Sequence, residues 1–496
     1  MSAPIRTQEF LDISHQFKLG RLQTESFHPK TARLSQLLKE STGAGLSRLA
    51  EVDHDALDLL ADFAGEFWEL YQDIQETLKR GNRIFMSGCG ATGRLALVLE
   101  TLYSRKFKEP QVISFMAGGD FALIKSVESF EDQTFYGHRQ LMDLGFRDGD
   151  LLIATSEGGE TPFVIGSAQK ASEVSRQKPY FIYCNPNEQL MGLVRCEEVF
   201  RNDKIKKRSI PVGPMAISGS TRMQASTALM FAVGECLLYK NQTKVSFEAQ
   251  FRDHLKELHF DYHDFSMFTD LEFNFYKDNK KLNYISSPEL AISILTDTTE
   301  RSPTFSLNGF ENFLRPQETP SLSYLFVKGT THSEEGWKSL LCRMPRALSW
   351  HDINRKIDIE EVLGFDISMN GISKRENAVD FEITLNDGII QFKLGDLSRS
   401  YNWGTDLFLV HLRLKMLLNA HSTSVMGLLG RFEGNVMSWV RPSNNKLIDR
   451  SARYIQEILR HKNIDKSYEE TVLEIFEELE TIKENEPIVM KVVDRN

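Results

Sequence analysis

The amino-acid sequence predicts an α/β fold built on a parallel sheet, because a pattern of strand, glycine-rich loop and helix repeats along it. Short apolar runs typical of buried strands recur through the first half of the chain, at 83–86, 111–117, 148–155 and 179–184. Helical spacing follows the glycine-rich loop after the first and third of these runs. Strands that alternate with helices favour a parallel sheet covered by helices on both faces.

Four further segments complete the pattern. Apolar residues at three- and four-residue spacing predict a single helix over 54–80, which Gly81 and Asn82 would end. The basic run 202–208 is interpreted as an exposed loop. The hydroxyl-rich run 296–306 is interpreted as a loop, either an ordinary one or one that meets a ligand or an interface. The amphipathic, Glu-rich tail from residue 465 predicts a small helical cap.

A change of composition near residue 250 marks a domain boundary. Aromatic and polar residues replace the glycine-rich loops there, and a second, weaker alternation of strands and helices follows. A chain of 496 residues is also too long for one ordinary core. We therefore predict an N-terminal segment, a first domain that holds the ligand site, a second domain and a helical C-terminal cap, at 1–50, 51–245, 246–440 and 441–496.

The overall composition excludes several classes of partner. The formal net charge is −10 and the pI is about 5.8, so the surface does not attract nucleic acid or anionic membranes. No apolar run approaches the ~20 residues that span a bilayer, and the first residues lack the pattern of a signal peptide. The five cysteines form no C-x-x-C pair, which fits a reducing compartment. We expect a soluble cytoplasmic protein without nucleic-acid or membrane partners.

The segment 88–93 spells G-x-G-x-x-G, the pattern of many dinucleotide-binding loops. Such a fold also needs an acidic residue at the end of the second strand, where it binds the ribose hydroxyls. Here that strand ends in Ala117 and two glycines, and the first acid, Asp120, comes after the turn. The sequence therefore disfavours a dinucleotide.

Three loops taken together favour a smaller ligand. Each is rich in hydroxyls and glycine and precedes a helix; they span 87–94, 155–161 and 218–222. Loops at the carboxyl ends of parallel strands form the ligand crevice of an open sheet. Free N–H groups at helix N-termini suit a phosphate, and Ser and Thr hydroxyls add donors. The three loops predict a small phosphorylated ligand; the alternative is that each is only a tight turn with a helix cap.

These loops carry a family resemblance. The motifs SGCGATGR, MAGGD followed by SVESFED, TSEGGETPFVIGSAQKA and AISGSTRMQAST, in this order, resemble the N-acetylmuramic acid 6-phosphate etherases and the glucokinase regulatory protein. Segments 421–455 and 465–493 resemble the same family. The resemblance implies two tandem sugar isomerase (SIS) domains of flavodoxin-like, parallel-sheet topology, the second one degenerate, followed by the helical cap.

The resemblance also implies roles for individual residues. Glu131, in the run ESFED, matches the acid that contacts the sugar and acts as the base in the etherases. Arg431 stands where the family usually has a lysine that reaches the sugar phosphate. Phosphosugar-binding positions are thereby assigned to Ser87, Gly90, Thr92, Gly93, Ser156, Thr161, Ser218, Ser220 and Arg431.

The sequence departs from the etherase pattern at the second catalytic acid. Leu102 occupies its position, and Glu100 lies about 200° away around the same helix. Glu160 replaces an arginine of the etherases, and Glu157 is nearby. Two carboxylates would repel a phosphate unless they are protonated or turned away. Alternatively, Glu157 or Glu160 supplies the missing acid, or both are only solvated loop charges.

Three functions follow as expectations from the resemblance. The first is a phosphosugar-binding protein that senses or regulates, with a sugar kinase or a second copy of the chain as its partner. The second is a lyase that cleaves the lactyl ether of N-acetylmuramic acid 6-phosphate to N-acetylglucosamine 6-phosphate and lactate. The third is an aldose–ketose isomerase of sugar phosphates. None of these requires a cofactor, and no cluster of His, Cys and Asp has metal-site spacing.

Overall fold

The computed structural model contains two five-stranded sheets surrounded by helices. It describes the chain except for residues 1, 18, 128, 316–318, 354–356, 441, 443 and 484–485. The α/β class predicted from the sequence is confirmed. No helix in the described parts of the chain combines the length and apolar character needed to cross a bilayer.

The first sheet is wholly parallel, with the strand order β2-β1-β3-β4-β5. That is the flavodoxin-like order, in which the crevice lies where the strand order reverses, between β1 and β3. Its inner strands are fully buried, as the apolar runs predicted. The strands are β1 Ile84–Gly88, β2 Val112–Met116, β3 Leu151–Ser156, β4 Tyr180–Tyr183 and β5 Lys206–Ser209.

The edge strand β5 corrects part of one prediction, since 202–208 was expected to be an exposed loop: residues 202–205 form a turn, but 206–208 belong to the strand. Its half-buried backbone pairs with β4. Lys206 forms ion pairs with Glu69 and Asp73 at 2.8 and 2.5 Å. Arg208 also forms an ion pair with Glu69. Carboxylates of the helix Trp68–Lys79 therefore neutralise basic residues that the sequence alone places in solvent.

Ten helices lie between residues 2 and 238 in the described parts of the chain. The helix predicted over 54–80 is wrong as a single element, because a 3-10 turn at Ala64–Phe67 interrupts it, and Gly65 lowers helix propensity there. The helices are α1 Ala3–Ile13, α2 Leu34–Glu40, α3 Thr42–Ala61, α4 Trp68–Lys79, α5 Ala91–Phe107, α6 Thr134–Asp143, α7 Pro162–Val174, α8 Asn187–Leu190, α9 Glu197–Arg201 and α10 Gln224–Leu238.

The second sheet is mixed, in the order β10-β9-β8-β6-β7. Strand β6 lies between β7 and β8 and is parallel to both, whereas β8, β9 and β10 form an antiparallel meander. Asp387 and Gly388 both have positive φ and make the tight turn from β8 to β9. The strands are β6 Lys281–Ser286, β7 Ser323–Val327, β8 Ala378–Asn386, β9 Ile389–Leu394 and β10 Leu397–Asn402.

Helices of the second half join the parts of the molecule. The long α16 packs against helices of the N-terminal segment, the first domain and the second domain. Phe10 on α1 meets Phe476 on α18, so both ends of the chain share one helical layer. The helices are α11 Lys244–Glu257, α12 Ser266–Lys277, α13 Ala291–Phe305, α14 Ser333–Leu341, α15 Ile359–Leu363, α16 Leu407–Leu428, α17 Asn445–His461, α18 Tyr468–Glu478 and α19 Ile488–Asp494.

The domain limits stay a prediction. Helix α3 runs across residue 50, and α11 runs across residue 245, so neither limit falls between elements. The run 296–306 is not a loop, because all but its last residue belong to α13. The Thr298 and Thr299 hydroxyls bond within the helix and Arg301 is buried, so the polar composition belongs to a buried helix face.

Candidate functional site

Two of the predicted loops lie side by side at the carboxyl edge of the first sheet. Loop 1, residues 87–94, leads from β1 into α5, and loop 2, residues 155–161, leads from β3 into α7. Because β1 and β3 are parallel neighbours, their loops meet, and the Thr155 hydroxyl donates to the Ser87 carbonyl at 3.2 Å. Loop 3, residues 218–222, precedes α10.

Loop 1 is held in one shape and leaves one side open. The Thr92 hydroxyl accepts from the Cys89 N–H at 2.9 Å and donates to the Cys89 carbonyl at 2.8 Å. Gly90 has a φ of +53°, and nothing lies within 4 Å of the place a Cβ would occupy. Gly93 has no such room, because a Cβ there would overlap Met116. The hydroxyl of Ser87 is buried without a hydrogen-bond partner among the described residues.

Loop 2 brings its two predicted hydroxyls together. Ser156 Oγ and Thr161 Oγ1 are 3.0 Å apart, and the Gly159 N–H donates to Ser156 Oγ at 3.0 Å. Thr161 is the N-cap residue of α7, and Pro162 opens the helix. The hydroxyl pair therefore stands at the positive end of α7, where an anion is favoured.

Loop 3 is tied to both ends of the chain. The Ser218 hydroxyl donates to the Glu25 carbonyl at 3.0 Å, and the Tyr454 hydroxyl donates to the Ser218 carbonyl at 2.5 Å. Ser220, the other predicted residue of this loop, is 5% exposed. The Ser218 hydroxyl is thus engaged with the N-terminal segment. Loop 3 therefore anchors the cap. Among the described residues, no hydrogen bond joins loop 3 directly to loop 1 or loop 2.

The cap supplies a cation that the sequence analysis missed. Lys446, in the first turn of α17, contacts Glu160 of loop 2. A lysine at the positive end of a helix is electrostatically unfavourable. That placement is the one sequence signal that could have identified it. Arg431, the cation predicted instead, stacks on Trp439 at 3.8 Å, and none of its described contacts reaches the three loops.

Glu131 lies between loop 1 and the cap. Its Oε2 accepts from the Cys89 thiol at 3.4 Å, and its Oε1 accepts from the Asn444 side-chain amide at 3.4 Å. Burial and the neighbouring Glu131 charge raise the pKa of the Cys89 thiol well above its usual range. Cys89 therefore stays a neutral thiol that packs beside Glu131, and it does not act as a nucleophile.

Glu157 and Glu160 of loop 2 are both buried, so they are not the solvated charges that the sequence allowed. Burial favours a neutral Glu160, but the charges of Lys446 and of Arg195, 2.8 Å away, outweigh it and lower its pKa. Burial raises the pKa of Glu157 to about 8. Glu160 is thus ionised and paired, while Glu157 carries a proton at neutral pH, which favours Glu157 over Glu160 as an acid.

The position of the second etherase acid holds no acid. Leu102 is part of the core and is 3% exposed. Glu100 forms ion pairs with Arg343 at 3.0 Å and with Arg346 at 2.7 Å. Those charges outweigh the effect of burial and lower its pKa. Glu100 is therefore committed to a contact with the second domain.

The second domain adds two more ionisable groups, which sequence reasoning also missed. Glu300 of α13 lies 3.9 Å from Arg94, the last residue of loop 1, and burial raises the pKa of Glu300. Lys415 of α16 donates to the Arg222 carbonyl at 2.8 Å and to the Thr227 hydroxyl at 2.9 Å. Burial lowers the pKa of Lys415 to about 8. No group of His, Cys, Asp and Glu within the described residues could hold a metal.

We expect the Glu157→Gln variant to change the pH dependence of stability. The ordinary pKa of a glutamate is 4.5, and that of Glu157 is about 8 in the folded chain. The folded chain therefore binds the extra proton between these values, and the free energy of unfolding falls as the pH rises through this window. The slope for one group is at most about 1.4 kcal/mol per pH unit.

The measurement is urea unfolding of the wild type and Glu157→Gln at pH values from 5 to 9. The variant should gain stability relative to the wild type as the pH rises, since glutamine has no proton to lose. Glu66→Gln, at an exposed position, is the control and should show no such trend. Parallel curves for the wild type and Glu157→Gln would show that Glu157 titrates normally.

Comparison with known proteins places these loops in a family. Residues 68–172 match the model of the glucokinase regulatory protein N-terminal SIS domain. The chain is 34% identical over 215 residues to the N-acetylmuramic acid 6-phosphate etherase of Yersinia pestis strain Pestoides F, covering 42% of this chain and 67% of that protein. The enzyme of the same name from Yersinia pseudotuberculosis serotype O:1b gives the same values.

Solved structures resemble the chain more distantly. Tagatose-6-phosphate ketose/aldose isomerase from Escherichia coli has a TM-score of 0.45 at 10% identity, over 82% of this chain and 98% of that one. The C-terminal domain of glucosamine-fructose-6-phosphate aminotransferase from Francisella tularensis has a TM-score of 0.35 at 11% identity, over 76% and 95% of the two chains. On the strength of its sequence relatives, this chain belongs to the SIS-domain family of the N-acetylmuramic acid 6-phosphate etherases and the glucokinase regulatory protein.

Proposed function

We propose that this chain is a phosphosugar-binding protein that senses or regulates through a bound sugar phosphate, as the glucokinase regulatory protein type does. The observation that carries the proposal is the meeting of loops 1 and 2 at one edge of the first sheet, beneath a lysine of the cap. Donors, a nearby cation and open space beside Gly90 occur together there. These are the features that hold a phosphate.

The donors come from several elements. The N-termini of α5 and α7 offer backbone N–H groups, and the Ser156 and Thr161 hydroxyls stand beside the second of these. The Ser87 hydroxyl has no hydrogen-bond partner among the described residues. Lys446 is paired with Glu160. A phosphate on loop 2 would compete with Glu160 for this lysine, so binding would shift the first turn of α17.

That shift gives the ligand a way to change the cap. Helix α17 also carries Arg450 and Arg453, which pair with the buried Glu25 at 2.6 and 3.0 Å. Burial favours a neutral Glu25, but the two arginines outweigh it and lower its pKa to about 2. The N-terminal segment is therefore tied to α17 by these ion pairs, so a shift of α17 would be passed on to it. A partner that recognises this surface, either a sugar kinase or a second copy of the chain, would sense the ligand.

A second candidate is the etherase reaction, which one arrangement favours. The Cys89 thiol contacts Glu131 at 3.4 Å, and the neighbouring Glu157 contributes to raising the pKa of the thiol, so the carboxyl groups of Glu131 and of Glu157, whose own pKa is about 8, lie near the same point of loop 1. In this alternative, Glu131 removes the C2 proton of the open-chain sugar, whose C1 carbonyl stabilises the carbanion. The C3–O bond then breaks, and Glu157 protonates the departing lactate oxygen. Addition of water at C3 gives N-acetylglucosamine 6-phosphate.

One set of assays distinguishes turnover of the sugar from binding alone. Wild type, Glu131→Gln and Glu157→Gln are each mixed with N-acetylmuramic acid 6-phosphate; lactate is measured enzymatically and binding by calorimetry. Saturable binding without lactate supports the sensor and excludes the etherase. Lactate release that is lost in both variants, but kept in the exposed control Glu66→Gln, excludes a pure sensor. Absence of both binding and lactate contradicts both candidates for this sugar.

A further inference from the structure

A segment of the second domain, residues 343–350, lies against the first domain, and we call it the strap. It follows α14 and contains no helix or strand. At its first end, Arg343 forms ion pairs with Glu100 and Asp120. The Asp120 N–H also donates to the Arg346 carbonyl at 3.0 Å. Because Glu100 and Asp120 are buried, lifting this end would leave buried charges without their cation, so the end is firmly held.

The motif MAGGD, residues 116–120, receives this end of the strap. Gly119 has a φ of +67°, and a Cβ there would lie 2.9 Å from the Arg346 carbonyl oxygen. The Leu348 side chain would be 3.1 Å away. A glycine at this position therefore lets the backbone of the strap approach closely. The motif serves the contact between the two domains, outside the three loops.

The other end of the strap is held by an aromatic anchor, Trp350. Its indole N–H donates to Asp143 at 2.7 Å, and the Arg139 guanidinium lies 4.1 Å from the centroid of its ring. The same ring stacks on Tyr136 at 5.7 Å. The three partners are spaced three and four residues apart on α6, so they share one face of that helix. One face of α6 therefore binds the tryptophan.

The Trp350 ring also reaches Phe130, the residue before Glu131. The two ring centroids are 5.9 Å apart and the ring planes differ by 13°. Phe130 is 3% exposed and stacks in turn on Tyr136 at 4.3 Å. These distances are within the range of stacked aromatic pairs. The strap, α6 and the segment before α6 thus meet in one cluster of three rings.

Glu131 itself lies on a turn, outside any helix or strand. Its carbonyl accepts from the Phe163 N–H at 3.0 Å, so α7 holds one side of the turn. On the other side, the buried ring of Phe130 holds the turn against Tyr136 and Trp350. The place of the Glu131 carboxylate between loop 1 and the cap therefore depends on a contact made by the second domain.

We propose that Trp350 is a positioning residue, through which the second domain holds Glu131 in the crevice of loops 1 and 2. Trp350 fixes Phe130, and Phe130 fixes the turn that presents Glu131 to the crevice. A shift of the strap would change how the crevice meets a sugar and would leave the phosphate donors of loop 2 in place. The role of Glu131 toward a sugar rests on the proposed function, whereas its position does not.

Cys89 serves as a reporter of the position of Glu131. Its thiol donates to Glu131 Oε2 at 3.4 Å, and burial and the Glu131 charge raise the pKa of the thiol. The test uses the full chain with Cys342→Ser, because Cys342 is exposed, whereas Cys184, Cys196 and Cys236 are buried. Alkylation of Cys89 by iodoacetamide at pH 8 is followed by mass spectrometry. Its rate follows the thiolate fraction, so it rises when Glu131 moves away.

A double-variant cycle shows whether Trp350 acts through Glu131. Trp350→Leu and Glu131→Gln should each speed alkylation about tenfold, which corresponds to one pKa unit. The double variant should be no faster than Glu131→Gln alone, since the carboxylate is already gone. Trp350→Phe keeps an aromatic ring and should stay near the wild-type rate. A wild-type rate in Trp350→Leu, or additive effects in the double variant, would overturn the proposal.

Two controls complete the cycle. Trp68→Leu removes a half-buried ring that stacks on Tyr71 at 5.0 Å on α4, and it should leave the Cys89 rate unchanged. The buried cysteines stay unreactive in a folded chain. If Trp350→Leu exposes them, Asp143→Ala frees the indole N–H instead. That variant should speed alkylation in the presence of Glu131 and not in Glu131→Gln; the same rise in both backgrounds would overturn the proposal.

Sugar binding tests the consequence for the crevice. Trp350→Leu should bind N-acetylglucosamine 6-phosphate about tenfold more weakly than the wild type in calorimetry. It should bind inorganic phosphate with unchanged affinity, because the donors of loop 2 do not depend on the strap. An equal loss for both ligands would indicate a general distortion and overturn the proposal. A wild type that binds neither ligand would contradict the proposed function, and the Cys89 rates would still decide how Glu131 is positioned.

Discussion

Replacing Lys446 with methionine is expected to weaken sugar phosphate binding by roughly 100-fold, about 3 kcal/mol. Lys446 is the cap residue that reaches loop 2, where it contacts Glu160. Without it, a bound phosphate loses its cation. Glu160 would also lose one of the two cations that pair with it among the described residues, and so add repulsion. Calorimetry with N-acetylglucosamine 6-phosphate measures the loss.

Two matched variants make this prediction specific. Lys462→Met removes an exposed lysine at the other end of α17 and should not change binding. Arg431→Met removes the cation that the family resemblance favours, whose guanidinium stacks on Trp439, and should weaken binding much less than Lys446→Met. If Arg431→Met abolishes binding while Lys446→Met retains it, the cap lysine is not the phosphate ligand.

Replacing Arg301 with methionine is expected to destabilise the fold by about 3–5 kcal/mol. Arg301 is 2% exposed and bonds Glu272, Asp297 and the Tyr284 hydroxyl, at 2.7 to 2.8 Å. Its removal takes a buried cation away from two buried carboxylates, which costs far more than losing a surface ion pair. Urea unfolding followed by circular dichroism measures the change.

The same substitution should loosen loop 3. Asp297 also accepts from Arg222 of that loop at 3.2 Å, so the network joins the first domain to the second. Hydrogen exchange of residues 218–222 should therefore quicken in Arg301→Met. Arg176→Met, which breaks a fully exposed ion pair with Asp148, is the control and should leave both stability and exchange within error. A stability of Arg301→Met equal to that of the control would show that the network does not hold the domains together.

Local patterns in the sequence predicted the first sheet and its loops well. The apolar runs became β1 to β4, and the Gly and hydroxyl segments after β1 and β3 became loops 1 and 2, because strand and turn signals are local. The pair Asp387–Gly388 carried an equally local hairpin signal. The turn at this pair makes β8 and β9 antiparallel, so the second sheet is mixed, whereas the family resemblance implied a parallel sheet.

The ion-pair partners at the candidate site could not be predicted from local sequence patterns. Lys446 and Glu160 are 286 positions apart, and only the docking of the cap brings them together. Glu157 and Glu160 are three positions apart and look alike in the sequence, yet one has a raised and the other a lowered pKa. The difference comes from Lys446 and Arg195, whose contacts with loop 2 follow from the tertiary fold. Protonation states at this site therefore depend on packing that no local pattern encodes.

In the proposed function, the loops at the edge of the first sheet bind a sugar through its phosphate. The direct measurement is calorimetric titration of the wild-type chain with N-acetylglucosamine 6-phosphate and, separately, with N-acetylglucosamine. We expect saturable binding of the phosphorylated sugar and an affinity for the unphosphorylated sugar that is roughly 100-fold weaker. Equal affinities for the two sugars, or no binding of the phosphorylated one, would contradict it.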